Sequence, residues 1–218
     1  TSTNMFFIQI GACDGISFDP LFFLTKKYKM HGVLLEPIPH LFEELKKNYK
    51  DIPNIELVNK AISSVNGTIE MQTITEDGLK RLPKWAKGIS TISSDKNALG
   101  NNYWEEGKGK EHKEYEKIYE EIKKYRKPIK VDSIDFEKLL DMYNINKIDL
   151  LQIDAEGYDY EIIKLINFDN VKPKIIHFEI ANLDNDEKKS CLNLLTNNGY
   201  SVVQYNKQDA LATLNLKR

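Results

Sequence analysis

The stretch FFIQIGACDGISFDP (residues 6–20) decides the fold of this chain. Its apolar run is followed by two glycines four positions apart, Gly11 and Gly15. Asp19 and Pro20 then form a helix start signal, with Asp19 as the N-cap and Pro20 at the first helical position. A strand that turns through glycines into a helix leaves free N–H groups and a positive dipole end at the turn. The stretch therefore predicts a ligand-binding turn between a strand and a helix.

The rest of the chain alternates short apolar runs with amphipathic segments. IDLLQID (148–154) and PKIIHFEI (173–180) are almost continuously apolar, as expected for strands that helices cover on both faces. This alternation predicts an α/β fold with a mostly parallel sheet. The predicted strands are 6–10, 32–36, 55–59, 148–153, 174–180, 200–205 and about 210–215, and the predicted helices are 19–30, 39–49, 134–143, 158–166 and 185–198. The last two strands are too close together for a crossover helix, so we expect an antiparallel hairpin at the sheet edge.

Two segments fall outside this alternation. SSVNGTIEMQTIT (63–75) carries an Asn-Gly turn signal between β-prone stretches and predicts an added hairpin. Residues 84–127 are dense in mixed charge, with tyrosines at near-helical spacing, and are either a solvated helix or a lid over the site. We therefore expect one domain over residues 1–218, with an insertion at about 63–130 that consists of a hairpin and a charged helical lid.

Composition narrows the class of protein. The chain of 218 residues fits one domain, and its net charge of −2 gives no basic field for nucleic acid. No apolar run approaches the roughly 20 residues of a membrane span. Cys13 and Cys191 are expected to be small buried side chains and not a disulfide, so we expect a cytoplasmic protein. The chain begins almost directly on a strand, so it is compatible with a fragment of a longer protein.

The second predicted strand indicates which ligand the glycine turn binds. GVLLEP (32–37) places Glu36 21 residues after Gly15, where a carboxylate can accept hydrogen bonds from both hydroxyls of a ribose. A dinucleotide turn needs a glycine where Cys13 stands, and Asp14 would bring negative charge to the pyrophosphate. A zwitterionic methionine tail and a sulfonium tolerate that carboxylate. The pattern favours S-adenosylmethionine over a dinucleotide.

A second group of polar residues follows the buried strand 148–153. Asp154 and Glu156 come directly after it, and Glu179 ends the next strand, at the rim where open α/β sheets bind ligands. Three carboxylates at one rim repel each other unless they meet a cation, a ligand or a shared proton. We therefore predict that these three are the catalytic candidates. His177 is expected to be structural, because it lies further down its strand, where helices cover the sheet.

Six segments of this sequence, taken in order, resemble the FkbM family of S-adenosylmethionine-dependent methyltransferases. They are QIGACDG, GVLLEPIPHLFEEL, NKAISSVNGTIEM, IDLLQIDAEGYDYEIIK, IIHFEI and DALA, and the resemblance covers nearly the whole chain, from Phe6 to about Leu214. LLEP and IDLLQIDAEG are the most specific pieces. The resemblance implies a class I methyltransferase (Rossmann-like) fold: a seven-stranded, mostly parallel sheet with a C-terminal antiparallel hairpin and helices on both faces. It also implies methyl transfer to oxygen, commonly a hydroxyl of a sugar, a polysaccharide or a polyketide-type product.

By position, the resemblance gives cofactor-binding roles to Gln9, Gly11, Ala12, Asp14, Gly15, Glu36, Pro37, Lys60, Ala61, Asp154 and Ala155. The glycine loop lies under the methionine part, Glu36 binds the ribose, and the pair after the third strand flanks the adenine. Many relatives carry an acidic residue where Gln9 stands, so we expect Asp14 or Asp154 to contribute more to holding the methionine ammonium. Cys13 replaces the asparagine that is common in this loop. The family also places the long insertion, with Trp85, Ser90 and Ser93, near the mouth of the active site.

The implied reaction asks little covalent chemistry of the protein. The sulfonium is an activated donor, so the protein has to align the acceptor oxygen with the methyl group and to accept a proton. Glu156 and Glu179 are the first candidates for this proton transfer, and Asp154 is assigned to cofactor positioning. No metal site is predicted, although a divalent cation between the carboxylates stays open. The partner implied is a hydroxyl-bearing small molecule or glycan, with an NAD(P)-dependent oxidoreductase and a non-catalytic S-adenosylmethionine-binding module as alternatives.

Overall fold

The computed structural model describes residues 4–17, 19, 21–92 and 110–215, without the side chains of 110–116 and 119. The strands are β1 (Phe6–Ile10), β2 (His31–Leu35), β3 (Ile55–Val58), β4 (Ala61–Ile62), β5 (Gly67–Ile74), β6 (Arg126–Ile134), β7 (Leu150–Ile153), β8 (Ile175–Glu179), β9 (Tyr200–Gln204) and β10 (Asp209–Leu214). The α-helices are α1 (Leu21–Tyr28), α2 (Pro39–Tyr49), α3 (Glu76–Arg81), α4 (Lys110–Tyr125), α5 (Phe136–Met142), α6 (Asp159–Lys164) and α7 (Asn185–Asn197). A short 3₁₀ helix spans Lys84–Lys87.

Seven strands form the large sheet in the order β3-β2-β1-β7-β8-β10-β9. The first five are parallel, and β10 runs antiparallel to both β8 and β9. The predicted class I methyltransferase sheet and its C-terminal hairpin are therefore confirmed. The chain order reverses between β1 and β7, and such a switch point opens a crevice at the carboxyl ends of the strands.

Helices cover both faces of this sheet, because neighbouring residues of a strand point to opposite sides. On one face, Phe7 of β1 packs with Leu45 and Tyr49 of α2. On the other face, Ile8 of β1 belongs to a larger core with Leu139 of α5 and residues of α6 and α7. Each of these five residues is almost completely buried, which explains why the central strands are apolar throughout.

The hairpin predicted within 63–75 is wrong. The turn at Asn66 and Gly67 does precede β5, but β4 and β5 do not pair with each other. Both pair with β6, which lies between them: Ala61 of β4 is parallel to Ser133, and β5 runs antiparallel along eight residues of β6. The two-residue β4 is too short to hold a hairpin. The sequence of β6 contains Pro128 and alternating charges, so its composition does not predict a strand.

The helix predicted in the charged segment is confirmed over Lys110–Tyr125, as α4. It is not evenly solvated, because Ile118 and Ile122 pack with Ile74 and Ala86 in a separate small core. Ser93 lies outside the described residues. Cys13 and Cys191 are both free thiols. In the described ranges, no helix is long and apolar enough to cross a membrane.

Candidate active site

A cavity of about 580 Å³ opens at the carboxyl ends of β1, β2, β7 and β8. Most of the predicted cofactor residues line it, namely Gln9, Gly11, Ala12, Glu36, Pro37, Lys60, Ala61, Asp154 and Ala155. The predicted catalytic carboxylates Asp154, Glu156 and Glu179 line the same cavity, as do Trp85 and Ser90 of the insertion. The structure therefore brings the two predicted groups of residues to one place.

The glycine turn allows β1 to approach the chain that follows β7. Gly11 has a φ of +80°, and a Cβ atom there would lie 1.9 Å from the carbonyl oxygen of Asp154. The amides of Gly11 and Ala12 both donate to the carbonyl of Leu35, at 3.0 and 2.9 Å. The Asp154 amide donates to the carbonyl of Ile10 at 3.0 Å. Backbone hydrogen bonds thus join three strand ends under the cavity, and only glycine fits at position 11.

Asp14 and Gly15 do not line the cavity and support the turn from behind. Asp14 accepts hydrogen bonds from the amides of Ile16 and Ser17, at 3.0 and 2.7 Å, and from Lys87 Nζ at 2.6 Å. Burial opposes ionisation of Asp14, but the hydrogen bonds from Lys87 and Ser17 outweigh it and lower its pKa to about 2. Asp14 is therefore a charged structural anchor of the loop.

Glu36 lies in the cavity wall and is only 4% exposed. One of its oxygens accepts the amide of Cys13 and the other the amide of Ile38, both at 2.8 Å. Burial raises the pKa of Glu36 to about 8, although these two hydrogen bonds oppose the shift. Each oxygen keeps a further lone pair, so the carboxylate can still accept hydrogen bonds from a ligand.

Two buried acceptors in the cavity have no hydrogen-bond partner among the described residues. They are Oε1 of Gln9, which is 4% exposed, and Oδ2 of Asp19, which is 8% exposed. The other oxygen of Asp19 accepts the amide of Leu21 at 2.7 Å, in agreement with its predicted role at the start of α1. Burial raises the pKa of Asp19, although the Leu21 amide and the nearby Gln9 side chain oppose the shift. Because buried polar atoms are normally paired, two orphan acceptors indicate the place of a donor group.

The far end of the cavity holds two carboxylates that share one amide. Nδ2 of Asn182 donates to Glu179 at 2.8 Å and to Glu156 at 3.3 Å. Burial raises the pKa of both glutamates; repulsion by Glu179 and Asp154 adds to the shift of Glu156, and repulsion by Asp159 and Asp154 adds to that of Glu179. Behind them, the fully buried Asp159 accepts the amides of Ala155 and Glu179, at 3.3 and 3.1 Å. This carboxylate ties the loop after β7 to the end of β8 and so fixes the distance between the two glutamates.

The cavity as a whole is acidic. Asp154 is exposed to the cavity, and desolvation together with Asp209 and Asp19 raises its pKa to about 6. Among the described residues, Lys60 and Lys87 are the lysines that line the cavity, and Lys87 is already paired with carboxylates. Such a field favours ligands that carry positive charge and disfavours anions.

His177 lies outside the cavity wall. Its Nε2 forms a hydrogen bond with the hydroxyl of Tyr205, and the two rings are 5.7 Å apart. Burial lowers the pKa of His177. His177 therefore pairs with Tyr205, in the loop that follows β9, and forms no hydrogen bond with Glu156 or Glu179.

Comparison with known families identifies the chain. The model of the methyltransferase FkbM domain matches residues 9–202. The chain belongs to the FkbM methyltransferase family. A search of curated proteins gives no match. The predicted family and the predicted methyltransferase activity are therefore confirmed.

The solved structure of another FkbM methyltransferase has the same fold as this FkbM methyltransferase. An FkbM methyltransferase from Methylobacillus flagellatus KT is 13% identical, with a TM-score of 0.54 over 98% of this chain and 44% of its own. The present chain thus spans less than half of that protein. Precorrin-6y C5,15-methyltransferase from Geobacter metallireducens GS-15 is 11% identical, with a TM-score of 0.48 over 99% of this chain and 82% of its own.

Methyltransferases of this family use S-adenosylmethionine, and the residues present fit it. The orphan acceptors of Gln9 and Asp19 match a methionine ammonium, and the free lone pairs of Glu36 match a ribose. Gly11 lines the cavity without a side chain, so a ligand can approach the backbone of the turn. Within the described ranges, no three histidine, cysteine or carboxylate side chains are arranged to hold a metal ion.

Four residues of this FkbM methyltransferase site were missed by the sequence analysis or given another role. The sequence predicts Asp19 only as a helix cap, although it also lines the cavity. Asn182 and Asp159 carry no local signal beyond their position near strand ends. Lys87 was one of many lysines in a charged segment. A polar residue within three positions of a strand's carboxyl end is the signal that could have indicated Asn182.

Proposed function

We propose that this FkbM methyltransferase transfers a methyl group from S-adenosylmethionine to a hydroxyl oxygen of a sugar, a glycan or a related small molecule. The observation that carries the proposal is the pair Glu156 and Glu179, held by Asn182 at the end of the cofactor cavity. When bound, S-adenosylmethionine supplies an activated methyl group on its sulfonium. The residues described below would bind the cofactor, orient the acceptor and accept its proton.

Cofactor binding is assigned to the turn side of the cavity. Gln9 and Asp19 accept hydrogen bonds from the methionine ammonium, because Oε1 of Gln9 and Oδ2 of Asp19 are buried beside the cavity with no partner at hydrogen-bond distance among the described residues. Glu36 accepts hydrogen bonds from the ribose hydroxyls, and each charge-assisted bond contributes about 1.5–3 kcal/mol. Asp154 adds negative charge between the two ends of the cavity. Lys60 and Ala61, which follow β3, border the adenine.

Proton transfer is assigned to the carboxylate pair. An alcohol is a weak nucleophile and has to lose its proton, and a placed base typically adds about 10²–10⁴-fold in rate. Burial and neighbouring carboxylates raise the pKa of Glu156 and of Glu179, and a carboxylate with a raised pKa is a stronger proton acceptor once it is ionised. Asn182 donates to both carboxylates and so keeps them pointed at the same point of the cavity.

The lining of the cavity favours a neutral, hydroxyl-rich acceptor. Asn182, Gln208 and Asp209 present amide and carboxylate groups that can bond hydroxyls, and Trp85 adds an aromatic surface. The acidic field disfavours phosphorylated acceptors and nucleic acid. A cytoplasmic location fits the two free thiols.

The proposal is tested in two steps. Isothermal titration with S-adenosylhomocysteine and with NAD measures cofactor choice, and we expect binding of S-adenosylhomocysteine alone. Transfer from methyl-labelled S-adenosylmethionine to a panel of neutral sugars and glycans then identifies the acceptor. Binding without transfer to any hydroxyl acceptor would favour a non-catalytic binding module.

With an acceptor in hand, single substitutions assign the base. Glu156→Gln or Glu179→Gln should lower kcat far more than they weaken S-adenosylhomocysteine binding, because they remove charge and keep shape. Asp154→Asn should affect both. Full activity in both glutamine variants, with loss in His177→Asn, would reverse the assignment. Activity lost with chelators and restored by Mg²⁺ or Ca²⁺ would favour a metal-bridged acceptor.

A further inference from the structure

One wall of the cavity comes from a segment of the insertion, residues 84–92, here called the strap. At its carboxyl-terminal end the strap is fixed to β5 by two backbone hydrogen bonds between Gln72 and Thr91, at 2.8 and 3.0 Å. The hydroxyls of Thr73 and Ser90 add a hydrogen bond of 2.9 Å. This end of the strap therefore belongs to the small sheet.

The other end of the strap is joined to the large sheet by Lys87. Its Nζ lies 2.6 Å from Asp14 of the glycine turn and 2.5 Å from Glu44 of α2. The lysine side chain is 22% exposed and that of Asp14 is 8% exposed, so the first ion pair is mostly sheltered from water. Sheltered, charge-assisted hydrogen bonds are roughly twice as strong as neutral ones.

Asp14 connects this ion pair to the cofactor turn. The same carboxylate accepts the amides of Ile16 and Ser17 and the hydroxyl of Ser17. It lies three residues after Gly11, whose amide is bonded to the end of β2. A displacement of Lys87 would therefore affect the backbone of the turn through the Asp14 carboxylate.

We propose that Lys87 is a positioning residue of the cofactor site, which fixes the glycine turn through Asp14 and holds the strap closed over the cavity. The proposal rests on the cofactor assignment of the preceding section. Trp85, Gly88 and Ser90 line the cavity beside Lys87, so release of Lys87 would loosen this wall. Ala86 and Ile89 of the strap pack in the small core with Ile74 and Ile122, and these contacts and the backbone hydrogen bonds to β5 would limit how far the strap moves.

The Lys87–Glu44 ion pair is the contact of the strap that salt can weaken, because the Glu44 side chain is 46% exposed, whereas the sheltered Lys87–Asp14 pair is screened much less. Screening of exposed charges acts over about 10 Å at 0.1 M ionic strength and about 3 Å at 1 M, while backbone hydrogen bonds respond little to salt. Cofactor affinity should therefore fall with ionic strength through Lys87. Lys84 offers a matched control, because it lies on the same 3₁₀ helix with an exposed side chain and does not line the cavity.

The test compares S-adenosylhomocysteine binding by wild type, Lys87→Met, Lys87→Arg and Lys84→Met, by isothermal titration at about 50 mM and about 500 mM KCl. We expect Lys87→Met to weaken binding at least about tenfold at low salt and to lose most of the salt dependence. Lys87→Arg should restore most of the affinity, and Lys84→Met should stay within about twofold of wild type. Equal affinity of Lys87→Met and Lys84→Met at low salt would overturn the proposal.

A second measurement separates this inference from the proposed function. If wild type binds no S-adenosylhomocysteine, the cofactor assignment fails, and hydrogen exchange of the strap in the free protein decides the rest. Faster exchange of residues 84–92 in Lys87→Met than in Lys84→Met would support the closing role, and equal rates would refute it. Should Lys87→Met not fold, Glu44→Gln removes one of the two ion pairs from the α2 side and is judged by the same criteria.

Discussion

Replacing Gly11 with alanine tests whether the approach of β1 to the β7 loop builds the site. The new Cβ would lie 1.9 Å from the carbonyl oxygen of Asp154, so that backbone has to move by about 1 Å or more to reach ordinary contact. A left-handed conformation costs a non-glycine residue about 1–2 kcal/mol. The hydrogen bonds from Gly11 to Leu35 and from Asp154 to Ile10 contribute about 1 kcal/mol each and would be strained.

We therefore expect Gly11→Ala to lower the free energy of unfolding by about 3 kcal/mol and to abolish measurable binding of S-adenosylhomocysteine. Urea unfolding gives the first quantity and isothermal titration the second. Gly88→Ala is the matched control: a Cβ there would meet its nearest atoms at 3.7 Å, and φ is −80°. It should change the free energy of unfolding by about 0.5 kcal/mol at most. If Gly11→Ala is as stable as Gly88→Ala and binds the ligand as wild type does, the close approach does not build the site.

Two further outcomes follow from the buried carboxylates. Glu36→Ala should weaken S-adenosylhomocysteine binding at least about tenfold, or about 1.4 kcal/mol. It should also destabilise the fold, because the amides of Cys13 and Ile38 lose their acceptor. Unchanged affinity on titration would remove Glu36 from the ribose site. Burial and the charges of Asp159 and Asp154 raise the pKa of Glu179 to about 9, so the ligand-free native state keeps a proton that the unfolded chain releases above its ordinary pKa of about 4.5. The stability that this group contributes is complete below about pH 4.5 and is lost as the pH rises to about 9. In urea unfolding between these pH values, Glu179→Gln should therefore lose less stability than wild type. Glu43→Gln, on the exposed face of α2, is the control and should follow wild type.

The large sheet could be predicted from the sequence because its information is local. A buried parallel strand such as 148–153 is marked by its own apolar run, and α2 by its own helical spacing. The small sheet could not be predicted in this way. The strand β6 contains Pro128 and lysines, and its conformation depends on pairing with β4 and β5, which are about 60 residues away in the chain. Pairings over such distances leave little trace in one sequence.

The residues of the candidate site differ in the same way in how far the sequence predicts them. Residues directly after a strand, such as Gly11, Glu36 and Asp154, could be predicted because the fold brings strand ends to one rim. Asn182 and Lys87 could not, since their importance comes from contacts with side chains on other elements. Asp14 shows the converse: its position in the turn suggested a ligand contact, yet the structure pairs its charge with a lysine from the insertion.

The pairing of β4 with the end of β6 in the small sheet has a consequence for how this enzyme can be altered. Ile62 and Ile134 are paired neighbours, and the amide of Ser63 donates to the carbonyl of Ile134 at 3.2 Å. Residues 63–133 form an excursion that begins and ends at neighbouring residues. Its length can change at small cost, because the entropy of closing a loop grows only slowly with the length of the loop. The excursion is therefore an exchangeable cassette. Grafting that of another family member between Ile62 and Ile134 should change which acceptor the enzyme takes, provided that the graft keeps a lysine that reaches Asp14 and Glu44 as Lys87 does.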